Sequence, residues 1–307
     1  MEFGLHLPTT GDPSTPELLL RVADEAEQMG LASVWMSDGL LRPVQQPIDF
    51  GGGMSVTMPP ESATQCDVIE TLTYVAARTS RIRLGTSVIG TLFQNPVALA
   101  RRLATLDLFS GGRLIAGLGQ GWVPQMFAVA DVPLARRGAG FEEHIQAMRS
   151  VWGPDPVRFD GRFYQIPASQ IGPKPVRPGG PALLAGAAAP AAAQRAGRLG
   201  IGLHPVFFGW DALRHIIGTF HRAAEDAGHD PAALPIVVRV NGAITSHAPA
   251  ESAPLTGTVA RVADDVDRLA ALGVGHVIWF MPETEPTEQL DAMRALLAVR
   301  TDAAVRA

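Results

Sequence analysis

The chain has 307 residues, of which 47% are hydrophobic and 18% charged, so it can bury a sizeable core and is not a disordered protein. Its net charge of −5 and pI near 5.9 argue against a nucleic-acid-binding surface. The single cysteine, Cys66, excludes an internal disulfide, and no cysteine–histidine cluster has zinc spacing, so we expect no metal. We see neither a signal sequence nor a membrane-spanning run and expect a cytoplasmic protein without a membrane partner.

Apolar runs alternate with helix-like stretches along the whole chain. In chain order, the predicted strands lie at 3–7, 33–37, 81–90, 113–119, 181–187, 201–207, 235–244 and 275–280. The predicted helices lie at 16–29, 68–77, 96–108, a stretch ending at 152, 190–199, 210–227, 259–272 and 286–299. Helix starts are marked by Thr15-Pro16 and Asn95-Pro96, and Gly30 ends the first helix.

Eight strands that alternate with eight helical regions predict an α/β protein with a parallel sheet, closed as a (β/α)8 TIM barrel. We predict a single domain over residues 1–307. It carries a long loop after strand two, which is interpreted equally well as a lid or as a flexible surface loop, and an irregular segment at 153–181, before strand five. The alternative is an open doubly wound sheet, because Gly117, Gly119 and Gly121 faintly resemble a dinucleotide-binding loop.

In such barrels the functional site lies at the carboxyl ends of the strands. That rule selects residues after all eight strands, among them His6, Asp38, Gly39, Ser87, Val88, Gln120, Gly121, Trp122, Gly186, Ala187, His204, Asn241, Trp279 and Phe280. A histidine there can act as a general acid or base, or can simply be a satisfied core residue. The sequence has no G-x-S-x-G motif and no nucleophile–histidine set, which favours chemistry carried by a cofactor.

Only small residues stand where strand five meets its helix, in "LLAGAAAPAAAQRAG". Unobstructed backbone amides at a helix N-terminus can bind a phosphate, here at Gly186 and Ala187. From these residues alone, an alanine-rich helix without a ligand is an equally good interpretation.

The stretch "NPVALARRLATLDLFSGGRLIAGLGQGW", residues 95–122, resembles a signature of the luciferase-like monooxygenase family. The similarity extends to "RRGAGFEEHIQAMRSVW", "FDGRFYQIP", "GPKPVRPGGPALLAGAA" and "GVGHVIWF" and so covers most of the chain. The similarity is greatest to the oxidoreductases of this family that use the deazaflavin coenzyme F420. Other members of the family use FMN. The resemblance implies a (β/α)8 barrel and, since members are often dimers, a homodimer.

The resemblance also implies roles for individual residues. Asp38 would lie beside the flavin or deazaflavin ring, with a non-proline cis peptide bond at Ser87-Val88 behind it. The residues Gln120 and Gly121 would line the ring and its ribityl chain. Gly186 and Ala187 would hold the cofactor phosphate, which favours the anion-binding interpretation of that segment. We take His6 and Asp38 as the candidate catalytic residues.

Three positions depart from the family pattern. Many F420-dependent members have a histidine where this chain has Gly39. The sugar-phosphate dehydrogenases have a proton-donating glutamate where Trp122 stands, and many members have a glutamate in place of Met126. The substitutions argue against oxidation of a sugar phosphate, and we expect Trp122 to shape an apolar substrate pocket. We also place Gly39 and His204 in that pocket.

These observations support three hypotheses. The first is an F420-dependent oxidoreductase that transfers hydride between the deazaflavin and a small, fairly apolar organic substrate. The second is a monooxygenase that uses reduced FMN and oxygen. The third, motivated by the missing acid and base residues, is a non-catalytic protein that binds flavin or deazaflavin.

Overall fold

The computed structural model describes residues 1–9, 15–51, 54–245, 253–282 and 284–306. The chain forms two compact units. The first unit contains Met1–Pro8, Pro16–Trp35 and Ala187–Ala307, and the second contains Thr9–Thr15 and Met36–Gly186. The single domain over residues 1–307 stays a prediction.

Eight core strands and nine helices are found in the described residues. The strands are β1 (Glu2–His6), β2 (Ser33–Met36), β3 (Arg83–Thr86), β4 (Leu114–Gly119), β5 (Ala182–Ala187), β6 (Gly202–Pro205), β7 (Val237–Asn241) and β8 (His276–Phe280). The helices are α1 (Pro16–Gln28), α2 (Val68–Ala76), α3 (Pro96–Phe109), α4 (Pro124–Val129), α5 (Ala139–Trp152), α6 (Pro190–Leu199), α7 (Trp210–Asp226), α8 (Val259–Ala271) and α9 (Pro286–Arg306).

In the first unit the first and last core strands are neighbours. Strand β1 pairs in parallel with β2 on one side and with β8 on the other, and β8 pairs in parallel with β7. Parallel bridges from Leu203 to Ile236 and from Val206 to Arg239 continue this order to β6. The order β6-β7-β8-β1-β2 joins the end of the chain to its beginning, as in a closed barrel and unlike a doubly wound sheet.

In the second unit, β4 pairs in parallel with β3 and with β5. The short strand Ile89–Gly90 continues beyond β3 and also pairs with β4. Strand β4 is buried along its whole length, which explains why it is a continuous apolar run in the sequence. The eight parallel strands, each followed in the chain by a helix, confirm the predicted (β/α)8 fold class.

The two predicted irregular segments both contain hairpins. The long loop after β2 forms an antiparallel pair, Ile48–Gly51 with Met54–Val56, while Gly52 and Gly53 lie outside the described residues. The prediction that the segment before β5 is irregular is wrong for Val157–Asp160 and Gln165–Ser169, which also pair in antiparallel. The strands of both hairpins have only three to five residues, too few for a clear alternation in the sequence.

Arg113, which precedes β4, ties the start of this strand to the end of α2. Its guanidinium donates hydrogen bonds to the carbonyls of Ala76, Thr79, Ile82 and Ser110 and to the Thr79 hydroxyl. We expect Arg113→Met to lower the free energy of unfolding by about 2–4 kcal/mol, because these acceptors lose a charged donor together. The control is Arg158→Met, since Arg158 makes an exposed pair with Asp160. Urea titration of both variants measures the free energy of unfolding. Equally small decreases in the two variants would contradict the stabilising role of Arg113.

Candidate functional site

Asp38 follows the end of β2 in the second unit. Its Oδ2 accepts a hydrogen bond of 3.0 Å from the backbone N–H of Gly90. Burial raises the pKa of the Asp38 carboxyl above its ordinary value of 3.8, and the hydrogen bond from Gly90 opposes that rise. The carboxyl is thus held in place by the backbone after β3 and titrates closer to neutral pH than an exposed aspartate.

The peptide bond between Ser87 and Val88 is cis, which confirms the position predicted from the family. The Ser87 N–H donates to the Met36 carbonyl at 2.7 Å, and the Ser37 hydroxyl donates to the Ser87 carbonyl at 3.1 Å. The cis peptide and the residues beside Asp38 are therefore joined by hydrogen bonds within the second unit.

Three glycines leave room for the residues around this cis peptide. A Cβ at Gly119 would lie 2.6 Å from a Val88 methyl group, and one at Gly186 would lie 3.3 Å from both Val88 methyls. A Cβ at Gly117 would overlap the Thr86 carbonyl oxygen. Close packing thus explains the G-x-G pattern of Gly117 and Gly119, which lies within β4 and needs no dinucleotide.

The predicted ring-lining residues after β4 are held by their own neighbours. Gln120 accepts a hydrogen bond of 2.8 Å from the Gly138 N–H through its Oε1. Gly121 has a φ of 81°, and a Cβ there would overlap the ring of Phe93, so only glycine suits this position. This backbone can approach a ligand without an intervening side chain.

Trp122 belongs to an apolar cluster in the second unit. The cluster consists of Leu41, Ile48, Met58, Phe93, Trp122, Val123 and Met126. It joins the hairpin after β2 to α4, and Phe93 also packs edge-on against Phe127 with ring centroids 5.0 Å apart. Where family members carry glutamates, this chain therefore has the half-buried Trp122 and the buried Met126 of an apolar cluster.

In the first unit, His6 is a buried neutral histidine. Its Nδ1–H donates to the Leu7 carbonyl at 2.8 Å, since a carbonyl can only accept, and its ring packs edge-on against Phe280. Burial lowers the pKa of His6 to about 3, and the positive charge of Arg239 adds to the effect. His6 is consequently a weak base at neutral pH, which weakens its predicted role as a proton acceptor.

His204 is also buried in the first unit. It is 2% exposed, stacks on the fully buried Trp35 with ring centroids 5.3 Å apart, and donates from Nδ1 to the Val237 carbonyl at 2.7 Å. Burial lowers its pKa to about 4. These contacts are those of a core residue, and its role in a substrate pocket stays a prediction.

The buried histidines predict acid sensitivity. Burial lowers the pKa of His6 to about 3 and those of His144 and His204 to about 4, whereas an unfolded histidine titrates at 6.5. At these histidines the unfolded chain therefore binds more protons below pH 6.5. Their contribution to stability is present above that pH and is lost as the pH drops towards 4.

The expected slope between pH 6.5 and 5 is about 1.4 kcal/mol per pH unit for each histidine. Urea titrations across this range measure it. Replacing His144 or His204 by glutamine should reduce the slope by about one proton equivalent. A flat profile for the unaltered chain would contradict these pKa values.

The predicted phosphate-binding segment leads into α6 of the first unit. Helix α6 begins at Pro190, and Ala189 at its N-cap makes no side-chain hydrogen bond to the helix start. The residues 187–189 before it are all alanine. A phosphate is the kind of group that suits such an uncapped N-terminus, so these residues fit the cofactor that the resemblance implies.

Two residues beside Asp38 were missed by sequence reasoning. Gly90 donates its N–H to the carboxyl, and Gln65 donates from Nε2 to the Ser37 carbonyl at 2.5 Å. Neither belongs to a motif, and a backbone donor leaves no compositional signal. In the part of the chain that the structure describes, no helix could cross a membrane, and no cluster of three or more His, Cys, Asp or Glu side chains could hold a metal.

The curated proteins similar to this chain include F420-dependent glucose-6-phosphate dehydrogenases. A curated F420-dependent glucose-6-phosphate dehydrogenase from Amycolatopsis mediterranei is 34% identical over 191 residues, which are 61% of this chain and 52% of the relative. The curated relatives from Mycobacterium bovis and Kineococcus radiotolerans are matched over 66% and 51% of their lengths, respectively, so the chain spans less than two thirds of each.

Solved structures match over almost the whole chain. Monooxygenase RslO1 from Streptomyces bottropensis has a TM-score of 0.80 at 23% identity and covers 96% of this chain and 97% of its own. An F420-dependent secondary alcohol dehydrogenase in complex with an F420-acetone adduct has a TM-score of 0.77 at 17% identity, with 96% and 98% covered. At such identities these two structures show a shared fold.

The sequence matches a family model over nearly its whole length. Residues 1–295 match the family described as luciferase-like monooxygenase. This range contains all eight core strands, Asp38, the cis peptide at Ser87-Val88 and the start of α6. The chain belongs to the luciferase-like monooxygenase family.

Proposed function

We propose that the protein is an F420-dependent oxidoreductase acting on a small, fairly apolar organic substrate. When bound, the deazaflavin accepts or donates a hydride. The observation that carries the proposal is the cis peptide Ser87-Val88 joined by hydrogen bonds to the segment of Asp38. Similarity to F420-dependent dehydrogenases supports the choice of F420.

The proposed roles follow from the chemistry of each residue. Asp38 faces the cofactor ring, and its raised pKa suits a carboxyl that exchanges a proton near the reacting atoms. Ser87 and Val88 support the ring, while Gln120 and Gly121 line it. Backbone amides at Gly186 and Ala187 hold the phosphate, consistent with the uncapped start of α6.

The apolar cluster around Trp122 supports an apolar substrate. Trp122 and Met126 stand where relatives carry glutamates, so the half-buried Trp122 would favour carbon-rich groups, and the loss of both glutamates disfavours oxidation of a sugar phosphate. We further propose a homodimer in the cytoplasm, as the family resemblance implies.

A fluorescence titration with F420 tests the cofactor. We expect saturable binding of F420, with FMN binding at least about tenfold more weakly, a difference of about 1.4 kcal/mol. A panel of secondary alcohols and ketones, assayed with oxidised and reduced F420 respectively, then tests for turnover. Tight binding of FMN without binding of F420 would overturn the proposal.

A second candidate is a monooxygenase that uses reduced FMN and oxygen. It is favoured by the likeness in fold to the monooxygenase from Streptomyces bottropensis and by the absence of acidic residues at Trp122 and Met126. Oxygen uptake that depends on both reduced FMN and an organic substrate would establish it. A protein that binds F420 and turns over no probe in either assay would instead be the non-catalytic binding protein.

A further inference from the structure

The side chain of Gln65 occupies the space above Gly39. A Cβ at residue 39 would overlap Gln65 Oε1 and lie 3.2 Å from its Cδ. Any larger residue at position 39 therefore requires Gln65 to move. Gly39 thus makes room for a particular neighbour from another part of the chain, in addition to forming a turn.

The orientation of this amide is fixed by its partner. The Ser37 carbonyl can only accept a hydrogen bond, so the atom 2.5 Å from it must be the amide nitrogen of Gln65. The oxygen Oε1 consequently points towards Gly39. Among the described residues no donor bonds to Oε1, and the side chain is half-buried, so this acceptor remains available.

Gln65 is hydrogen-bonded to the backbone of the residue that precedes the proposed catalytic Asp38. It bonds to Ser37, the residue before Asp38, and Asp38 in turn accepts from Gly90. A Cβ at Gly90 would lie 2.6 Å from the ring of Phe93, a member of the apolar cluster. The amide oxygen of Gln65 therefore lies against Gly39, the residue after Asp38, while Phe93 of the apolar cluster lies against Gly90, the donor to Asp38.

We propose that Gln65 determines specificity, its Oε1 accepting a hydrogen bond from a hydroxyl or N–H group on an otherwise apolar substrate. The inference deepens the proposed function and rests on it, because it assumes that the substrate lies beside Asp38. An amide has no proton to exchange near neutral pH, so Gln65 orients the substrate and takes no part in proton transfer. It selects hydrogen-bond donors over acceptors.

Calorimetric binding of two matched probes tests the selection. 1-Methylcyclohexanol carries a donor and has no hydride to transfer at its carbinol carbon, and cyclohexanone carries only an acceptor and cannot be reduced by oxidised F420. We expect the full chain saturated with oxidised F420 to bind the alcohol about fivefold more tightly than the ketone, which corresponds to one net hydrogen bond. Gln65→Met, which keeps the length of the side chain, should abolish the preference, and Gln170→Met at an exposed position should retain it.

A pair of stability measurements checks the geometry independently. Gly39→Ala should lower the unfolding midpoint, and adding Gln65→Ala should recover most of the loss because it removes the overlapping amide. Equal affinity for the two probes, no saturable binding of either, or an unchanged preference in Gln65→Met would overturn the inference. If F420 fails to bind while the free protein shows a Gln65-dependent preference, the proposed cofactor is wrong and the inference stands.

Discussion

Replacing Asp38 by asparagine is expected to reduce F420-dependent turnover about 100-fold or more, the usual contribution of a positioned proton-transfer group. Asparagine has nearly the same shape and can still accept the Gly90 N–H through its amide oxygen. The change removes only the exchangeable proton and the charge. The measurement is kcat for whichever probe of the alcohol and ketone panel is turned over.

Stability provides the control for this substitution. The pKa of Asp38 is raised in the folded chain, mainly by burial, so the folded state holds its proton to a higher pH than the unfolded state does. Ionisation therefore costs stability as the pH rises from 3.8 through the folded pKa. We expect Asp38→Asn to be at least as stable as the unaltered chain at neutral pH. A variant that loses both activity and stability would show that Asp38 serves the fold instead.

Gly117→Ala is expected to have the largest effect on stability, a loss of about 3 kcal/mol or more. Its new Cβ would overlap the Thr86 carbonyl oxygen, and the Thr86 hydroxyl already donates to the Gly117 carbonyl at 2.7 Å. The backbones of β3 and β4 would have to move apart to accommodate the methyl group. Such a separation would also disturb Ser87, the next residue along the chain.

Gly275→Ala is the matched control for this change. No atom lies within 4 Å of a Cβ at Gly275, and its φ is outside the left-handed region. We expect a change of less than about 1 kcal/mol in the free energy of unfolding, of either sign. Denaturant titration of both variants measures the difference, and a Gly117→Ala protein as stable as Gly275→Ala would refute the close packing of β3 on β4.

The fold was predictable because its signals are local. A strand such as β4 is a continuous apolar run, and Asn95 before Pro96 caps α3 with hydrogen bonds to the N–H groups of Val97 and Ala98, as its type and position suggest. The hairpin Val157–Asp160 with Gln165–Ser169 was missed because it depends on a distant residue. The Glu143 carboxylate on α5 accepts hydrogen bonds from the N–H groups of Arg162, Phe163 and Tyr164, which form the turn of this hairpin.

The candidate site was predictable only in part. The rule that strand ends carry function led to Asp38, and the family resemblance led to the cis bond at Ser87-Val88. Neither could reveal that Gly39 is small because Gln65 overlies it, since 25 residues separate the two in the chain and no periodicity connects them. The contacts between side chains of separate segments emerge only from the folded structure.

A crystal structure of the protein with bound F420 would show whether the second unit supports a deazaflavin against the cis peptide. We expect the deazaflavin ring against Ser87 and Val88, with the Asp38 carboxyl at the edge of the ring and Gln120 and Gly121 along the ribityl chain. A ring bound away from Ser87 and Val88, or an Asp38 carboxyl that does not contact the cofactor, would refute the proposed cofactor site.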